Sequence, residues 1–380
     1  MKILGVVHLK NIGLITYHSA YNFGSVLQAY ATQNIIEQLN NKCEVINYRT
    51  NEQKRVYSIF KWDQGIKSIA KNILKIPSYK KSKVRELQYE DFIKKYLNCT
   101  DECTEPEDVY SLWNKYDVVV SGSDQIWNKR SNELKYVSWN YMMPYLLVGF
   151  KGKKVSYASS PTTMTNEELE KIVSYIREFD SVSFREKKSA DELKQNFAIE
   201  SKTVLDPTFL LSKDEWATRL GLRKNNESPY VLYYCLNNHK TLEKNKKIVA
   251  KIAKRDNLKV KMIAPLSFLN VGNSVVDIIS DVGPIDFLNL IYNAKKVITD
   301  SYHGTILSVN FQKDIYSICS NHISDMRKVD ILNRLDLSER IIYDLNLLLT
   351  KKYEKINYNS INQKIEKERT KSVQYLKDVL

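Results

Sequence analysis

The sequence predicts an α/β protein built from two Rossmann-like domains that face each other across a cleft. The chain has 380 residues, and hydrophobic cores stop growing at about 250 to 300 residues, so two domains are expected. Short apolar runs alternate with segments of helical periodicity in both halves. A proline then stops a strand at 207, and we expect the linker between the halves over 207–228. The predicted domains are 1–207 and 208–350, followed by a helical tail over 351–380.

The N-terminal half begins with a strand, a helix and a second strand. Residues 13–17 form a short apolar run, turn residues follow at 18–25, and apolar residues then recur at helical spacing as far as Ile35. A strand over 43–48 closes this βαβ unit. Further strands are predicted at 117–120, 154–158, 181–186 and 204–208, with a helix from about Ser189. In a sheet of this kind, ligands bind at the carboxyl ends of the strands.

The C-terminal half repeats the same alternation of strands and helices. Its strands are predicted at 230–234, 258–263, 297–299 and 314–319. Its helices are predicted at 241–254, 285–292, 329–335 and 362–379. Two successive βα-rich halves around a linker give the two-domain prediction.

The composition is typical of a globular protein with excess positive charge. Hydrophobic residues make up 43% of the chain, charged residues 27%, and the formal net charge is +14. This charge suits solvated lysine faces, phosphorylated ligands or an anionic membrane surface, and no signature of a nucleic-acid-binding fold accompanies it. No segment approaches the roughly 20 apolar residues of a membrane helix, and the N-terminus has no signal-peptide pattern. We therefore expect a cytoplasmic protein without a nucleic-acid partner.

The cysteines indicate free thiols rather than disulfides or a metal site. There are five, an odd count with no C-x-x-C pair, which fits a reducing compartment. Cys99 and Cys103 have no second pair with which to complete a zinc site. No metal is predicted.

A basic amphipathic segment lies between residues 62 and 97. Its isoleucines fall on one side of a helical projection and its lysines gather elsewhere: Ile66, Ile69, Ile73 and Ile76 against Lys67, Lys71 and Lys75, with further basic residues from Lys80 to Arg85. Such a stripe usually packs on its own domain. The alternative is peripheral contact with the inner face of an anionic membrane.

Polar corners follow several of the predicted strands. In VITDSYHGTILS (297–308), Asp300, Ser301 and Thr305 are capping residues, and His303 stands beside first-turn N–H groups that can hold an anion. These residues alone leave open whether His303 takes part in a reaction or is only a capping or packing residue. A second corner places Asn22, Gly24 and Ser25 at a helix start. An anion site and a tight turn that needs glycine explain that corner equally well.

Two further corners carry charged side chains. In VVVSGSDQIWN (118–128), small residues at Ser121, Gly122 and Ser123 allow close approach of a ligand, and Asp124 can act as a base or a cap. Trp127 is predicted to be buried. In SVSFRE, Arg185 emerges at a strand end, where a guanidinium can grip phosphate or carboxylate in a bidentate manner.

Five blocks, in this order and spacing, resemble the polysaccharide pyruvyl transferase family. They are YHSAYNFGSVLQAYA, VVVSGSDQIWN, SVSFREKKSADEL, VLDPTFLL and VITDSYHGTILSVNF, and the resemblance runs from about residue 13 to about 340. It implies a GT-B-like fold and transfer of the enolpyruvyl group of phosphoenolpyruvate to sugar hydroxyls during bacterial surface polysaccharide biosynthesis. The products are a pyruvate ketal and inorganic phosphate. No cofactor is implied, and a free or lipid-linked sugar acceptor and the oligomeric state stay open.

The resemblance also assigns roles to residues. By it His303 is the general acid/base, and Asp300 is able to support its protonation. The donor would be held by Arg185, Ser301, Gly304, Thr305, Arg327 and Lys328. Because the N-terminal domain of GT-B-like enzymes usually faces the acceptor, the acceptor candidates are His18, Asn22, Gly24, Ser123 and Asp124.

Two other functions stay open at this point. One is a nucleotide-sugar glycosyltransferase of the GT-B type. Many such enzymes, by family resemblance, carry a glutamate three residues after the threonine of a glycine-rich turn, whereas Ser308 follows Thr305 at that spacing here. The serine favours a donor without ribose. The other is a non-catalytic binding protein of the same fold, against which the intact corners at His303, Arg185 and Asp124 argue.

Overall fold

The protein is described by a computed structural model that covers residues 9–60, 72–73, 75–236, 239–263 and 276–380. The N-terminal half contains a parallel sheet of β1 (Asn11–Ile15), β2 (Lys42–Val45), β3 (Val118–Ser121) and β4 (Lys153–Ser156), in the order β2-β1-β3-β4. The strands are short and almost wholly buried because helices cover both faces, as parallel sheets require.

Two short strands extend this sheet. β5 (Ser183–Phe184) pairs in parallel with β6 (Lys202–Thr203), and isolated bridges join residues 155 and 181 and residues 159 and 184. The strand predicted over 204–208 is wrong, because the chain turns there into a 3-10 segment at Pro207–Phe209. Pro207 has no N–H for a sheet ladder, and the Asp206 side chain accepts the Thr208 amide at 3.0 Å, which fixes the turn.

The C-terminal half contains a second parallel sheet. Its order is β12-β11-β10-β7-β8-β9. The strands are β7 (Tyr230–Tyr234), β8 (Lys259–Ile263), β9 (Val276–Ile279), β10 (Lys296–Thr299), β11 (Asp314–Ile318) and β12 (Ile341–Ile342). The two parallel sheets confirm the predicted α/β fold with two Rossmann-like halves, although β9 and β12 were not predicted.

Helices connect the strands in both halves. Those described are α1 (Phe23–Gln38), α2 (Asn51–Tyr57), α3 (Tyr79–Tyr96), α4 (Pro106–Ser111), α5 (Asn166–Ile176), α6 (Lys187–Phe197), α7 (Lys213–Leu220), α8 (His239–Arg255), α9 (Pro284–Asn293), α10 (Tyr302–Asn310), α11 (Met326–Arg334), α12 (Leu347–Thr350) and α13 (Tyr358–Val379). α1 is buried on all sides from residue 23 to residue 36. A helix buried in this way belongs to the interior of a protein rather than to its surface, and α1 lies where the two halves meet.

The two halves share one hydrophobic core. A single cluster of buried side chains runs from β1 and α1 through the C-terminal sheet to the end of α13. Phe23 stacks on Phe287 with ring centroids 4.2 Å apart, and Tyr30 of α1 packs against Trp216 at 5.6 Å. The cleft is therefore closed by apolar contacts around α1, and the polar corners are held close to one another.

The predicted helical tail returns to the N-terminal half. On α13, the Ser372 hydroxyl accepts the Leu205 amide at 2.9 Å and the Tyr375 hydroxyl donates to the Ser156 carbonyl at 2.9 Å. Arg369 donates through Nε to the Phe209 carbonyl at 2.6 Å. The last helix thus ties the linker and the first sheet to the second domain.

Part of the predicted basic amphipathic segment lies outside the described residues, which omit 61–71 and 74. Its described end is a 3-10 turn at Ile76–Ser78 that leads into α3. Among the described helices, none combines the length and apolarity needed to cross a membrane.

Candidate active site

The histidine corner has the predicted strand-to-helix geometry. β10 ends at Thr299, and Ser301 caps α10 by accepting the Gly304 amide on its hydroxyl at 3.1 Å. The Thr305 amide and hydroxyl both donate to the Ser301 carbonyl, at 3.0 and 2.9 Å. These bonds correct the expectation that the Gly304 and Thr305 amides bind the donor, since both donors are already used at the helix start. Contact of these three residues with a ligand by other atoms stays a prediction.

His303 meets the second corner across the junction of the domains. A Cβ built on Gly24 would lie 1.9 Å from His303 Nδ1 and 2.1 Å from its Cγ, so only the hydrogen of glycine fits beneath the ring. Gly24 is fixed by Asn22, the N-cap of α1, whose side chain accepts the Gly24 amide at 2.9 Å. Gly24 and His303 are almost 280 residues apart in the sequence. The two corners that carry them therefore form one site.

The carboxylate beside His303 belongs to Asp206. Its Oδ2 lies 3.5 Å from His303 Nε2 and accepts Arg185 at 2.9 Å, and its Oδ1 accepts the Thr208 hydroxyl at 2.7 Å. Burial alone raises the pKa of Asp206, but the positive charges of His303 and Arg185 outweigh it, and the pKa lies well below its usual value. Asp206 is ionised and can stabilise an imidazolium.

Asp206 was not among the predicted site residues, although it lies in one of the five resembling blocks, VLDPTFLL. The carboxylate predicted to support His303 was that of Asp300. Asp300 accepts the Leu236 amide at 2.7 Å and lies 3.4 Å from the Cys235 sulfur. The direct neighbour of the imidazole is thus Asp206, and a catalytic role for Asp300 stays a prediction.

Arg185 is almost completely buried, as its position at the end of β5 requires. It donates through Nε to Glu186 at 3.1 Å and through Nη1 to Asp206, while Nη2 lies 3.9 Å from an Asp124 oxygen. Its guanidinium carbon lies 4.5 Å from the centre of the Tyr302 ring. Burial lowers the pKa of Arg185, but the surrounding oxygens raise it well above its usual value, so it is permanently charged.

Three buried polar atoms at this site make no hydrogen bond: His303 Nε2, Arg185 Nη2 and Glu186 Oε2. The two nitrogens are in ion-pair range of carboxylates, Asp206 at 3.5 Å and Asp124 at 3.9 Å. Since most buried polar atoms in folded proteins are hydrogen-bonded, three such atoms in one cluster indicate a position for a ligand. The cluster supplies one imidazole and one guanidinium nitrogen for it.

Arg327 supplies a second guanidinium. Its central carbon lies 5.1 Å from the centre of the same Tyr302 ring, and burial together with the positive charge of Arg185 lowers its pKa. Arg327 also lines a cavity of about 340 Å³ between the two domains. The wall of this cavity includes Thr162, Thr163, Glu186, Ser189, Ile323, Met326 and Asp330. Arg327 is thus the guanidinium that reaches the cavity, whereas Arg185 is paired with the carboxylates of Glu186 and Asp206.

Lys328 is a correction to the predicted donor-binding set. Its ammonium donates to the carbonyls of Asp300 at 2.7 Å and Ile318 at 2.6 Å and pairs with the Asp325 carboxylate at 2.9 Å. A lysine ammonium has three donors, and all three are engaged. Lys328 therefore holds the ends of β10 and β11 together and does not have a free N–H group for the donor.

Four of the acceptor candidates, His18, Gly24, Ser123 and Asp124, are buried, and Asn22 is half-buried. Asp124 accepts the Ser25 hydroxyl at 2.8 Å and stays within reach of Arg185, so it belongs to the site. Ser123 is fully buried and donates to the Ala158 carbonyl at 2.7 Å. Because its hydroxyl is turned into the protein, the predicted side-chain contact of Ser123 with an acceptor is not compatible with this structure.

His18 is also a correction. It is fully buried, with Nε2 at 2.9 Å from the Asn47 side-chain oxygen and Nδ1 at 3.2 Å from the Thr16 carbonyl. Burial, assisted by the positive charge of Arg49, lowers the pKa of His18 to about 4. It is therefore a neutral histidine that supports the loop from inside. Trp127, predicted to be buried, is confirmed.

The structure describes no metal centre. Within residues 9–60, 75–236, 239–263 and 276–380, no three His, Cys, Asp or Glu side chains are grouped so that they could hold an ion. The five cysteines, all within the described chain, are free.

The fold and the site define a two-domain protein of the GT-B class with an ionic site at the domain junction. A candidate UDP-N-acetylglucosamine 2-epimerase from Listeria monocytogenes is similar in structure, with a TM-score of 0.51, 10% identity, and coverage of 94% of this chain and 91% of that one. A UGT protein from Arabidopsis thaliana complexed with UDP-L-rhamnose has a TM-score of 0.50, 10% identity, and coverage of 98% and 99%. At these identities the likeness shows the fold alone.

The family follows from sequence. The model of the family described as polysaccharide pyruvyl transferase matches residues 22–318, most of the chain. The chain belongs to this family. No curated protein matches it.

Proposed function

We propose that the protein transfers the enolpyruvyl group of phosphoenolpyruvate to two hydroxyls of one sugar. The product is a pyruvate ketal, and inorganic phosphate is released. The proposal narrows the family assignment, which covers residues 22–318, to one donor and one type of bond. We place this reaction in the cytoplasmic biosynthesis of a bacterial surface polysaccharide.

The observation that carries the proposal is a pair of buried nitrogens that make no hydrogen bond, His303 Nε2 and Arg185 Nη2. Phosphoenolpyruvate brings a carboxylate and a phosphate, and it needs a proton on its methylene carbon. Arginine binds both kinds of anion well because its N–H groups match their geometry. A histidine is the side chain best suited to give and take a proton near neutral pH.

In the proposed reaction His303, as imidazolium, gives its proton to the methylene carbon. The C=C electron pair forms the new C–H bond, and positive charge develops on the carbon that bears the phosphate. Asp206, at 3.5 Å from the imidazole, stabilises the charged ring before transfer, and Arg185 and Arg327 hold the donor anions.

One sugar hydroxyl then attacks the electron-poor carbon, and its proton returns to His303. The C–O bond to phosphate breaks with its electron pair going to the phosphate, and a neighbouring hydroxyl closes the ketal. The second hydroxyl proton leaves on the phosphate. Two hydroxyl protons thus end on the new methyl group and on phosphate, and no oxidant or reductant is needed.

A nucleotide-sugar donor is less well supported. Ser308, which stands where many nucleotide-sugar enzymes carry a ribose-binding carboxylate, is fully buried and donates its hydroxyl to the Gly304 carbonyl at 2.6 Å. It presents neither a carboxylate nor a free hydroxyl at the corner. This favours a donor that lacks ribose.

Phosphate release from phosphoenolpyruvate, measured across a panel of sugar acceptors, tests the proposal. The wild-type protein is expected to release phosphate with at least one acceptor, and His303→Gln to lose this activity while keeping its unfolding temperature. His322→Gln is the matched control, because His322 is exposed and its imidazole bonds locally to Ser324. Turnover of His303→Gln near the wild-type rate would reject the assignment.

A further inference from the structure

A group of lysines lies at the edge of the second sheet that is opposite to the histidine corner. Lys295 and Lys313 directly precede β10 and β11, at the amino ends of these strands, whereas His303 follows the carboxyl end of β10. Lys213 at the start of α7 and Lys224 in the segment after this helix lie beside them. We call these four residues the lysine cluster. The proposed reaction uses none of them.

Two members of the cluster share a single acceptor. The Lys313 ammonium donates to the Tyr292 carbonyl at 2.6 Å, and the Lys224 ammonium donates to the same oxygen at 2.9 Å. The two nitrogens are therefore at most about 5.5 Å apart, which is the sum of these distances. They also lie 5.8 and 4.2 Å from the centre of the Tyr292 ring. Because an ammonium has three N–H donors, one shared carbonyl leaves donors on both lysines for a further acceptor.

No carboxylate balances the charge of the cluster among the residues that the structure describes. The Lys213 ammonium lies 3.5 Å from the side-chain oxygen of Gln312, and those of Lys224 and Lys313 bond to a backbone carbonyl. Lys313 is only 9% exposed. Burial, together with the positive charges of the other three lysines, lowers the pKa of Lys313 to about 7. Burying a charge is unfavourable unless it is paired, so the cluster favours a bound anion.

We propose that the lysine cluster binds a dianionic oxyanion of the phosphate type, either free phosphate or the phosphoryl group of a small soluble metabolite. A bond between an ammonium and an oxyanion is about 2.7 to 2.9 Å long. The nitrogens of Lys224 and Lys313, at most about 5.5 Å apart, can therefore both bond to one such group. The inference does not depend on the proposed function, and either of the two can fail without the other.

The depth of Lys313 favours a small soluble anion over a lipid surface. Lys224 and Lys295 are exposed, whereas Lys313 is buried. The turn that carries Lys313 is also fixed, because its amide donates to the Ser308 carbonyl at the end of α10, at 2.9 Å. A layer of lipid head groups would meet the exposed lysines first, whereas a free dianion can also reach the recessed ammonium.

Calorimetric titration with sulfate tests the site, because sulfate is a dianion that does not titrate near neutral pH. At pH 8 an ammonium with a pKa of about 7 is mostly neutral. Binding of sulfate at Lys313 should therefore take up roughly half a proton or more, which is measured as a difference in binding heat between buffers with different heats of ionisation. Besides the other lysines of the cluster, the tyrosines Tyr292 and Tyr358 contact Lys313, so variants are needed to assign the uptake.

Four variants assign it. Lys313→Met should abolish the proton uptake and weaken sulfate binding roughly ten-fold or more, the loss expected for a charged hydrogen bond. Lys224→Gln, an exposed change, should weaken binding roughly two- to five-fold. Lys259→Gln is the matched control, an exposed lysine at the start of β8 in the same sheet, and should bind as wild type does. Arg327→Gln should keep the uptake, which separates the cluster from sulfate held at the candidate active site.

Absence of proton uptake in the wild-type protein, or an unchanged sulfate affinity in Lys313→Met, would overturn the site. If Lys313→Met does not fold, Lys224→Gln decides, and an unchanged affinity in that variant rejects the cluster. Equal heats with sodium chloride at the same ionic strength would mean that the lysines respond to salt alone. Binding to phosphatidylglycerol vesicles that Lys224→Gln abolishes, without a sulfate site in the wild-type protein, would reject the soluble anion in favour of a lipid surface.

Discussion

Replacement of Gly24 by alanine probes the contact between the two halves of the site. The added Cβ would lie 1.9, 2.1 and 2.5 Å from three atoms of the His303 ring. Carbon atoms in contact prefer about 3.5 to 4.0 Å, so the ring has to retreat by about 1.5 Å or the two domains have to part. Either movement changes the 3.5 Å approach of His303 to Asp206.

The expected effects on rate and stability differ in size. A misplacement of about 1 Å at a reacting group costs on the order of 100-fold in rate, so kcat/KM should fall at least about 100-fold. Stability should change less, because alanine gains up to about 1 kcal/mol over glycine inside a helix while overpacking costs about 1 to 3 kcal/mol. We expect a net loss of about 0 to 2 kcal/mol in the free energy of unfolding.

Phosphate release and urea unfolding should be measured on the same preparations. Gly221→Ala is the control: Gly221 has a φ of +66° and a Cβ there would meet no atom within 4 Å. The left-handed conformation makes alanine cost about 1 to 2 kcal/mol, so this variant should be similarly destabilised and fully active. Gly24→Ala with wild-type kcat/KM, or Gly221→Ala with an equal loss of rate, would refute the reasoning.

Three further predictions concern stability. Burial holds the pKa of His18 near 4 in the folded protein, below the usual value of about 6.5, so the unfolded chain binds more protons as the pH falls. The free energy of unfolding of the wild-type protein should therefore fall by about 2 kcal/mol between pH 7 and pH 5. Urea titrations should show that His18→Gln removes most of this pH dependence, and an unchanged pH dependence would contradict the prediction. Asp206→Asn removes the charge of the nearest carboxylate to Arg185, which keeps Glu186 at 3.1 Å, and should cost about 1.5 to 3 kcal/mol at pH 7, the range for hydrogen bonds to charged groups. Because the pKa of Asp206 is lowered in the folded protein, its stabilising effect is complete above about pH 4. The difference in free energy of unfolding between wild type and Asp206→Asn should therefore become smaller toward pH 3, and a constant difference would argue against an ionic role. Ser372→Ala leaves the buried Leu205 amide without its acceptor and should cost about 1 to 3 kcal/mol, whereas a neutral result in thermal unfolding would mean that this hydrogen bond does not help α13 to hold the linker.

The corners of the site could be predicted because their signals are local. At His303, Gly24 and Arg185, apolar strand residues give way to turn or charged residues within a few positions. Parallel sheets bring such strand ends to one edge, and the structure places the three residues at one junction.

The partners of these residues could not be predicted because they depend on how the two sheets meet. Asp206 lies in a stretch that looks like the end of a strand, and its role appears only when the linker turns toward His303. Lys328 was predicted to hold the donor, yet the carbonyls of two other segments accept hydrogen bonds from its ammonium. His18 and Asn47 are 29 residues apart and pair only when their loops fold together. Sequence patterns indicate which residues are buried and whether a segment is a helix or a strand. They do not show whether the hydrogen-bonding groups of a side chain are already used by distant residues.

The most direct test of the proposed reaction is NMR of a sugar acceptor after incubation with phosphoenolpyruvate labelled at its methylene carbon. We predict that wild-type protein places the label in a methyl group attached to a ketal carbon of the acceptor, with an equal amount of phosphate released, and that His303→Gln produces none. Label found only in free pyruvate, or an acceptor modified by a nucleotide sugar and not by phosphoenolpyruvate, would contradict the account.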